Sequence, residues 1–256
     1  MNLYYRKIGQ GKPFVFLHGL LGSSDTFYNA ALALSDRYTV FIPDLRNHGR
    51  SPHHPEMNYN AMCSDLLHFF EEHHIEKPIV AGHSMGGKLA MVLALKMPDI
   101  PARLIVVDIA LRAYPVHYIK VLMPALDIDF NTMKSRSDIR HFLIGKISDF
   151  RIVDLLIKNI ERKENNTLGW RSNFEVLYNS TAHFLDEVNL PGLYKSPTLI
   201  ISGEKSDYVN NNDIIELRNK FPDLQQRIIP GSGHWVHSDN QQSFLKALNE
   251  FLVSEK

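Results

Sequence analysis

The segment Gly82-His83-Ser84-Met85-Gly86-Gly87 sets one serine between two glycines, directly after an apolar run (79–81) and directly before a helical pattern (88–97). A serine on so sharp a strand-to-helix turn needs small neighbours on both sides. The backbone has to pass close to adjacent segments while the hydroxyl is pushed outward. Glycine and serine each make up about 7% of an average protein, so GxSxG arises by chance in roughly one chain in ten of this length. Its placement therefore carries more information than the pattern itself. Ser84 is the candidate nucleophile, weighed against a serine that merely caps a helix.

A serine hydroxyl needs a base to take its proton, and the base needs an acid to orient it. Of the 13 histidines, His234 stands apart because Gly231-Ser232-Gly233-His234-Trp235 lies between the last strand pattern and the last helix pattern. The pairs His53-His54 and His73-His74, and the group His68, Glu71, Glu72, His73, lack HExxH spacing and read as solvated surface. An oxyanion formed at the attacked carbonyl would need two backbone donors, one following the nucleophile and one from a neighbouring loop. Met85 supplies the first. The loop His18-Gly19-Leu20-Leu21-Gly22 supplies the second, with Gly19 permitting a backbone that aims the Leu20 N–H inward.

These loops need a scaffold that delivers them to one place. Short β-rich runs at 3–8, 14–17, 38–42, 79–81 and 104–107 alternate with helical patterns from about 24, at 59–74 and at 85–97. The runs 14–17, 79–81 and 104–107 are almost wholly apolar, as in strands buried on both faces of a parallel sheet. Alternating strands and helices predict an open α/β sheet. From 112 to 190 the rhythm changes to successive helical patterns, such as 137–147 and 150–160, with no strand expected between them. Strands return at 198–201 and 226–229, with helices near 213–221 and 240–252. The expected organisation is an α/β core of residues 1–111 and 191–256 interrupted by a helical insertion, 112–190.

Composition narrows the function classes. The 256 residues carry 28 Lys+Arg against 28 Asp+Glu, so no broad positive field is available for nucleic acid or an anionic membrane. The lone cysteine, Cys63, excludes an intrachain disulfide and fits a reducing compartment. The first residues lack the pattern of a signal peptide, and no apolar run approaches the ~20 residues of a membrane span. A cytoplasmic protein without nucleic-acid partners or stable membrane insertion is expected, its oligomeric state left open.

Four landmarks in order, His18-Gly19-Leu20, Asp44-Leu45-Arg46-Asn47-His48-Gly49-Arg50-Ser51, Gly82 to Gly87 and Gly233-His234, resemble those of the α/β-hydrolase fold enzymes over almost the whole chain. Residues 17–22, Val107-Asp108-Ile109-Ala110 and 231–237 are closer still to the small esterase group of the YbfF and ABHD11 type. The resemblance implies a mostly parallel core sheet of about eight strands with a helical cap before the last two strands. It also implies hydrolysis of a small-molecule acyl ester through a Ser-His-Asp triad, with no cofactor and no metal.

The acid has two candidates. In the wider family it lies three residues beyond a glycine that ends the strand after the cap. Here that position, counted from Gly203, is Ser206, and Asp207 falls one residue later, 27 before His234. A one-residue shift at a strand end turns the side chain to the opposite side. The resemblance to the YbfF-type group instead implies Asp108, which terminates the apolar run 104–107. Asp108 is the preferred acid and Asp207 the alternative.

Substrate choice belongs to the insertion. Tyr114, Tyr118, Phe142, Trp170, Phe174 and Tyr178 are candidates for an acyl pocket or for the insertion's own core. Arg46, Lys88 and Arg112 are candidates for meeting an anionic substrate such as an acyl thioester. Two other readings use the same fold: a carbon–carbon bond hydrolase with the same triad, and a slow-turnover ligand sensor.

Overall fold

The computed structural model describes residues 1–115 and 122–253. Its core is a seven-stranded sheet in the order β1 (Tyr5–Ile8), β3 (Tyr38–Pro43), β2 (Lys12–Leu17), β4 (Ile79–His83), β5 (Arg103–Val107), β8 (Thr198–Gly203) and β9 (Leu224–Ile229). Only β1 runs antiparallel, pairing four residues with β3 at the edge. The sheet thus has seven strands where about eight were expected, because a single short strand precedes β2 and joins the sheet beyond β3.

The apolar runs face both ways. On one side of the sheet Val15, Leu17, Val80, Leu104 and Val106 pack with helices α2 (Tyr59–Glu72) and α3 (Met85–Lys96). On the other side Phe14, Phe16, Ala81, Ile105 and Val107 pack with α1 (Tyr28–Leu34) and the last helix. Double-sided burial removes the apolar–polar alternation that one-sided strands show. Helix α3 is buried from Met85 to Leu95, Lys88 included. Helix α1 begins four residues later than expected, because Ser24 is held outside it by its N–H donating to Asp44 Oδ1.

Register decides what reaches the sheet's carboxyl edge. Leu17 aligns with Gly82, His83 with Val107, Val107 with Ile201 and Gly203 with Ile229. The loops after β2, β4, β5, β8 and β9 therefore leave the sheet side by side, at the edge where open α/β sheets place their ligands.

Between β5 and β8, after a 3-10 turn (Met123–Asp127), come α4 (Arg136–Ile144), α5 (Phe150–Lys158), α6 (Phe174–Asn179) and α7 (Thr181–Leu185). The insertion also contains a hairpin that the sequence reading did not expect, β6 (Ile160–Arg162) against β7 (Leu168–Trp170). Three-residue strands are too short to show a period of two. The buried Asn159 beside β6 donates its side-chain N–H to the Leu21 carbonyl of the core. Helices α8 (Asn211–Lys220), α9 (Val236–Asp239) and α10 (Gln241–Val253) complete the chain.

Candidate active site

Ser84 caps α3 with φ 51° and ψ −119°, a left-handed conformation rare outside glycine. The flanking glycines make it possible. A Cβ on Gly82 would lie 2.1 Å from the Gly86 carbonyl oxygen, and one on Gly86 would lie 2.4 Å from that of Leu17. The turn is thus closed on itself and pressed against the end of β2, leaving Ser84 half-buried at the wall of a cavity of about 450 Å³.

The loop after β2 lines the same cavity through Gly19 and Leu20. His18 fixes its backbone. A carbonyl can only accept, so the 2.8 Å contact between His18 Nδ1 and the Gly19 oxygen makes Nδ1 the donor. Nε2 is then the acceptor of the Leu45 N–H at 2.9 Å. The Gly22 N–H also donates to the Gly19 carbonyl, at 2.9 Å. Both bonds hold one face of the Gly19–Leu20 peptide, and planarity turns the Leu20 N–H away from His18. The Asp44–Ser51 segment buttresses this arrangement, with Asp44 Oδ2 accepting from the Arg50 N–H at 2.8 Å. Met85 opens α3, so its N–H belongs to a helix start where donors point outward and favour negative charge.

His234 lines the cavity too, and its Nδ1 lies 2.8 Å from Asp108 Oδ2. Asp108 has φ 55° and is wholly buried. Its Oδ1 accepts from the Gly203 N–H at 3.0 Å, and its Oδ2 accepts from the Ser206 hydroxyl as well as from His234. Asp207 is exposed, its main-chain carbonyl accepting from Arg112, while His234 Nδ1 is engaged by Asp108. The geometry therefore favours Asp108 over the alternative Asp207. Ser206, which stands where the wider family has its acid, supplies a hydroxyl to the Asp108 carboxylate. Its place, three residues past Gly203, was the available signal.

Of the charged candidates, Lys88 lines the cavity and Arg46 and Arg112 do not. Arg46 is buried, and its guanidinium pairs with Asp65 through both Nε and Nη2. Arg112 pairs with Asp213 at 3.0 Å. Lys88 donates to the carbonyls of Arg112 (2.9 Å) and Asp186 (2.6 Å), fastening the two ends of the insertion to α3, and burial brings its pKa down to about 8. All three cations have partners within the chain. Trp170 and Phe174 stack at 4.5 Å within the insertion, and Phe174 stacks with Tyr178. Tyr114, Phe142, Trp170, Phe174 and Tyr178 stand outside the cavity lining, and Tyr118 lies outside the described residues. The insertion instead contributes the apolar Leu122, Ile152, Leu155, Phe184 and Leu185 to the lining, together with the charged Arg151, Asp154, Lys158 and Arg171.

Four histidines around the site are held neutral. Burial foremost lowers the pKa of His18, of His48 and His83 strongly, and of His237 to about 4. In the unfolded chain each takes up a proton near 6.5. Their folded values lie lower, so the unfolded state binds more protons below that pH. The stability they contribute is complete above about 7 and is lost as pH falls. Denaturant titrations should show unfolding free energy declining as pH falls below 6.5, with net uptake of protons on unfolding near pH 5.5. Constant stability from pH 7 to 5 would contradict this.

Comparison with known proteins agrees with the fold. A family model described as alpha/beta hydrolase fold matches residues 12–136. A Danio rerio protein named sn-1-specific diacylglycerol lipase ABHD11 is 35% identical over 252 residues, covering 95% of this chain and 79% of its own. Esterase YbfF of Escherichia coli (strain K12) is 31% identical over 241 residues, covering 94% of this chain and 92% of its own. Among solved structures, a marine microorganism esterase superposes with a TM-score of 0.93 at 35% identity, covering 97% of this chain and 98% of that one. No described helix is long and apolar enough to cross a membrane.

Proposed function

We propose, from the premise that this chain belongs to the α/β-hydrolase fold family, that it is a serine esterase acting on carboxylic acyl esters. The observation that carries the reading is the 2.8 Å contact of His234 Nδ1 with Asp108 beside the cavity that Ser84 and Leu20 also line. Similarity to proteins named lipase and esterase supports the same reading.

In this mechanism Asp108 accepts the Nδ1–H and leaves Nε2 of His234 free to take a proton. Ser84 Oγ attacks the ester carbonyl carbon as Nε2 receives the hydroxyl proton, and the carbonyl oxygen becomes an oxyanion held by the N–H groups of Leu20 and Met85. The tetrahedral species collapses, the C–O bond to the alcohol breaks, and His234 returns its proton to the leaving oxygen. Water then attacks the acyl-enzyme with His234 again as base, releasing the acid and restoring Ser84. The insertion serves as a cap whose apolar lining residues take the acyl chain. Arg46 pairs with Asp65 and Arg112 with Asp213, whereas Lys88, Arg151, Lys158 and Arg171 line the cavity, so an acyl thioester is the alternative substrate class.

The test is hydrolysis of p-nitrophenyl esters from acetate to long acyl chains. Turnover well above the buffer rate is expected, declining once the acyl chain outgrows the cavity of about 450 Å³. Background rates across the series from folded protein would refute the ester reading.

A further inference from the structure

Tyr208, in the loop after β8, stacks its ring on the imidazole of His234, with centroids 3.7 Å apart and planes 18° from parallel. We propose that Tyr208 is a positioning residue acting through His234, fixing the imidazole plane and stabilising the imidazolium that forms when Ser84 gives up its proton. This inference rests on the serine-esterase reading.

The loop is built to hold that ring. Its first anchor is Ser206, whose hydroxyl donates to Asp108 Oδ2 and whose Oγ lies 3.3 Å from the Tyr208 N–H. The second is Tyr114, whose hydroxyl accepts from the Ala110 N–H and donates to the Tyr208 carbonyl, both at 2.7 Å. The Tyr114 ring also stacks with that of Tyr208 at 5.3 Å. The Arg112 guanidinium lies 4.2 Å from the Tyr114 centroid and Lys88 Nζ 5.0 Å from it. One short loop, pinned from the base of the insertion, therefore sets both the carboxylate and the ring plane of the base.

The other groups around His234 each have a separate part. Asp108 engages Nδ1 from the end of β5. His83, at the end of β4, lies 4.6 Å away and is occupied by donating its Nε2–H to the His234 carbonyl at 2.8 Å. His237, from α9, is kept neutral by burial. Trp235 meets the ring edge-on at 5.6 Å, with the Arg151 guanidinium 4.5 Å from the Trp235 centroid. Ser84 shares the cavity.

Tyr208 alone among these groups offers a parallel aromatic face at van der Waals distance. An aromatic face attracts a cation more strongly than a neutral ring of the same shape. The contact consequently strengthens as His234 becomes charged, so it favours the transition state over the ground state.

The test compares Tyr208→Leu, Tyr208→Phe and pentafluorophenylalanine at position 208 with wild type. Tyr208→Leu should lower kcat about three- to tenfold and move the acidic limb of kcat/KM to lower pH by about half a unit to one unit, with KM nearly unchanged. Tyr208→Phe should restore both. The fluorinated ring keeps the volume but reverses the quadrupole, so it should behave like leucine, and it secures the test if Tyr208→Leu folds poorly. An unchanged acidic limb in the leucine and fluorinated variants would overturn the proposal, whatever happens to kcat. NMR titration of the His234 imidazole in the same proteins needs no turnover. It separates this outcome from a failure of the esterase reading, which would show as activity surviving in Ser84→Ala.

Discussion

Asp108→Asn should lower kcat by about four orders of magnitude, while Asp207→Asn stays within about twofold of wild type. The difference follows from hydrogen-bond bookkeeping at position 108. In the native protein one carboxylate oxygen receives the Gly203 N–H, and the other receives both the Ser206 hydroxyl and His234 Nδ1. An asparagine that keeps its oxygen toward Gly203 must turn its NH2 toward His234. The imidazole then presents a lone pair at Nδ1 and carries its proton on Nε2, where it cannot take one from Ser84. The loss should fall on kcat with little change in KM, because no substrate-binding group is removed. Paired steady-state kinetics of the two variants checks this. An Asp108→Asn enzyme within tenfold of wild type, or a collapse in Asp207→Asn, would reassign the acid.

Ser84→Ala should remove about five to six orders of magnitude from kcat, leaving only what the oxyanion donors and the cavity provide. It is a small change in packing, since Ser84 lines the cavity and alanine keeps the Cβ. The strained φ of 51° is set by the glycine contacts around the turn rather than by the hydroxyl. Thermal unfolding of Ser84→Ala should therefore match wild type, which makes the kinetic loss a statement about chemistry. Residual activity above one per cent, once contaminating esterase is excluded, would require another nucleophile.

Much of this site was legible because its parts are local. The elbow is a strand, a turn and a helix within about 20 consecutive residues, and the glycines at 82 and 86 announce close backbone approach, which the contacts with Gly86, Leu17 and His18 bear out. Strands β4 and β5 were readable for a similar reason, since burial on both faces makes them continuously apolar. The candidate acid was harder. Asp108 and His234 are 126 residues apart, and what brings them together is the register of β5 with β8 and β9, which no local pattern encodes. Ser206 looked like a defect in a motif because its partner, Asp108, sits 98 residues upstream.

The surroundings of the charged candidates Arg46, Lys88 and Arg112 were hidden for the same reason. Their partners, Asp65, the carbonyls at the two ends of the insertion, and Asp213, become visible only once the chain has folded. The hairpin β6–β7 escaped because its stability comes from tertiary contacts, such as that of Asn159 with Leu21, and not from intrinsic pattern.

Covalent capture at Ser84 tests the central claim most directly. Wild-type protein is treated with a fluorophosphonate ester, and intact mass and peptide mapping are read alongside loss of ester hydrolysis. A single adduct on Ser84, formed in proportion to the activity lost and absent from Ser84→Ala and strongly slowed in His234→Ala, is the predicted result. Full inactivation with Ser84 unmodified, or an active enzyme that forms no adduct there, would contradict the account.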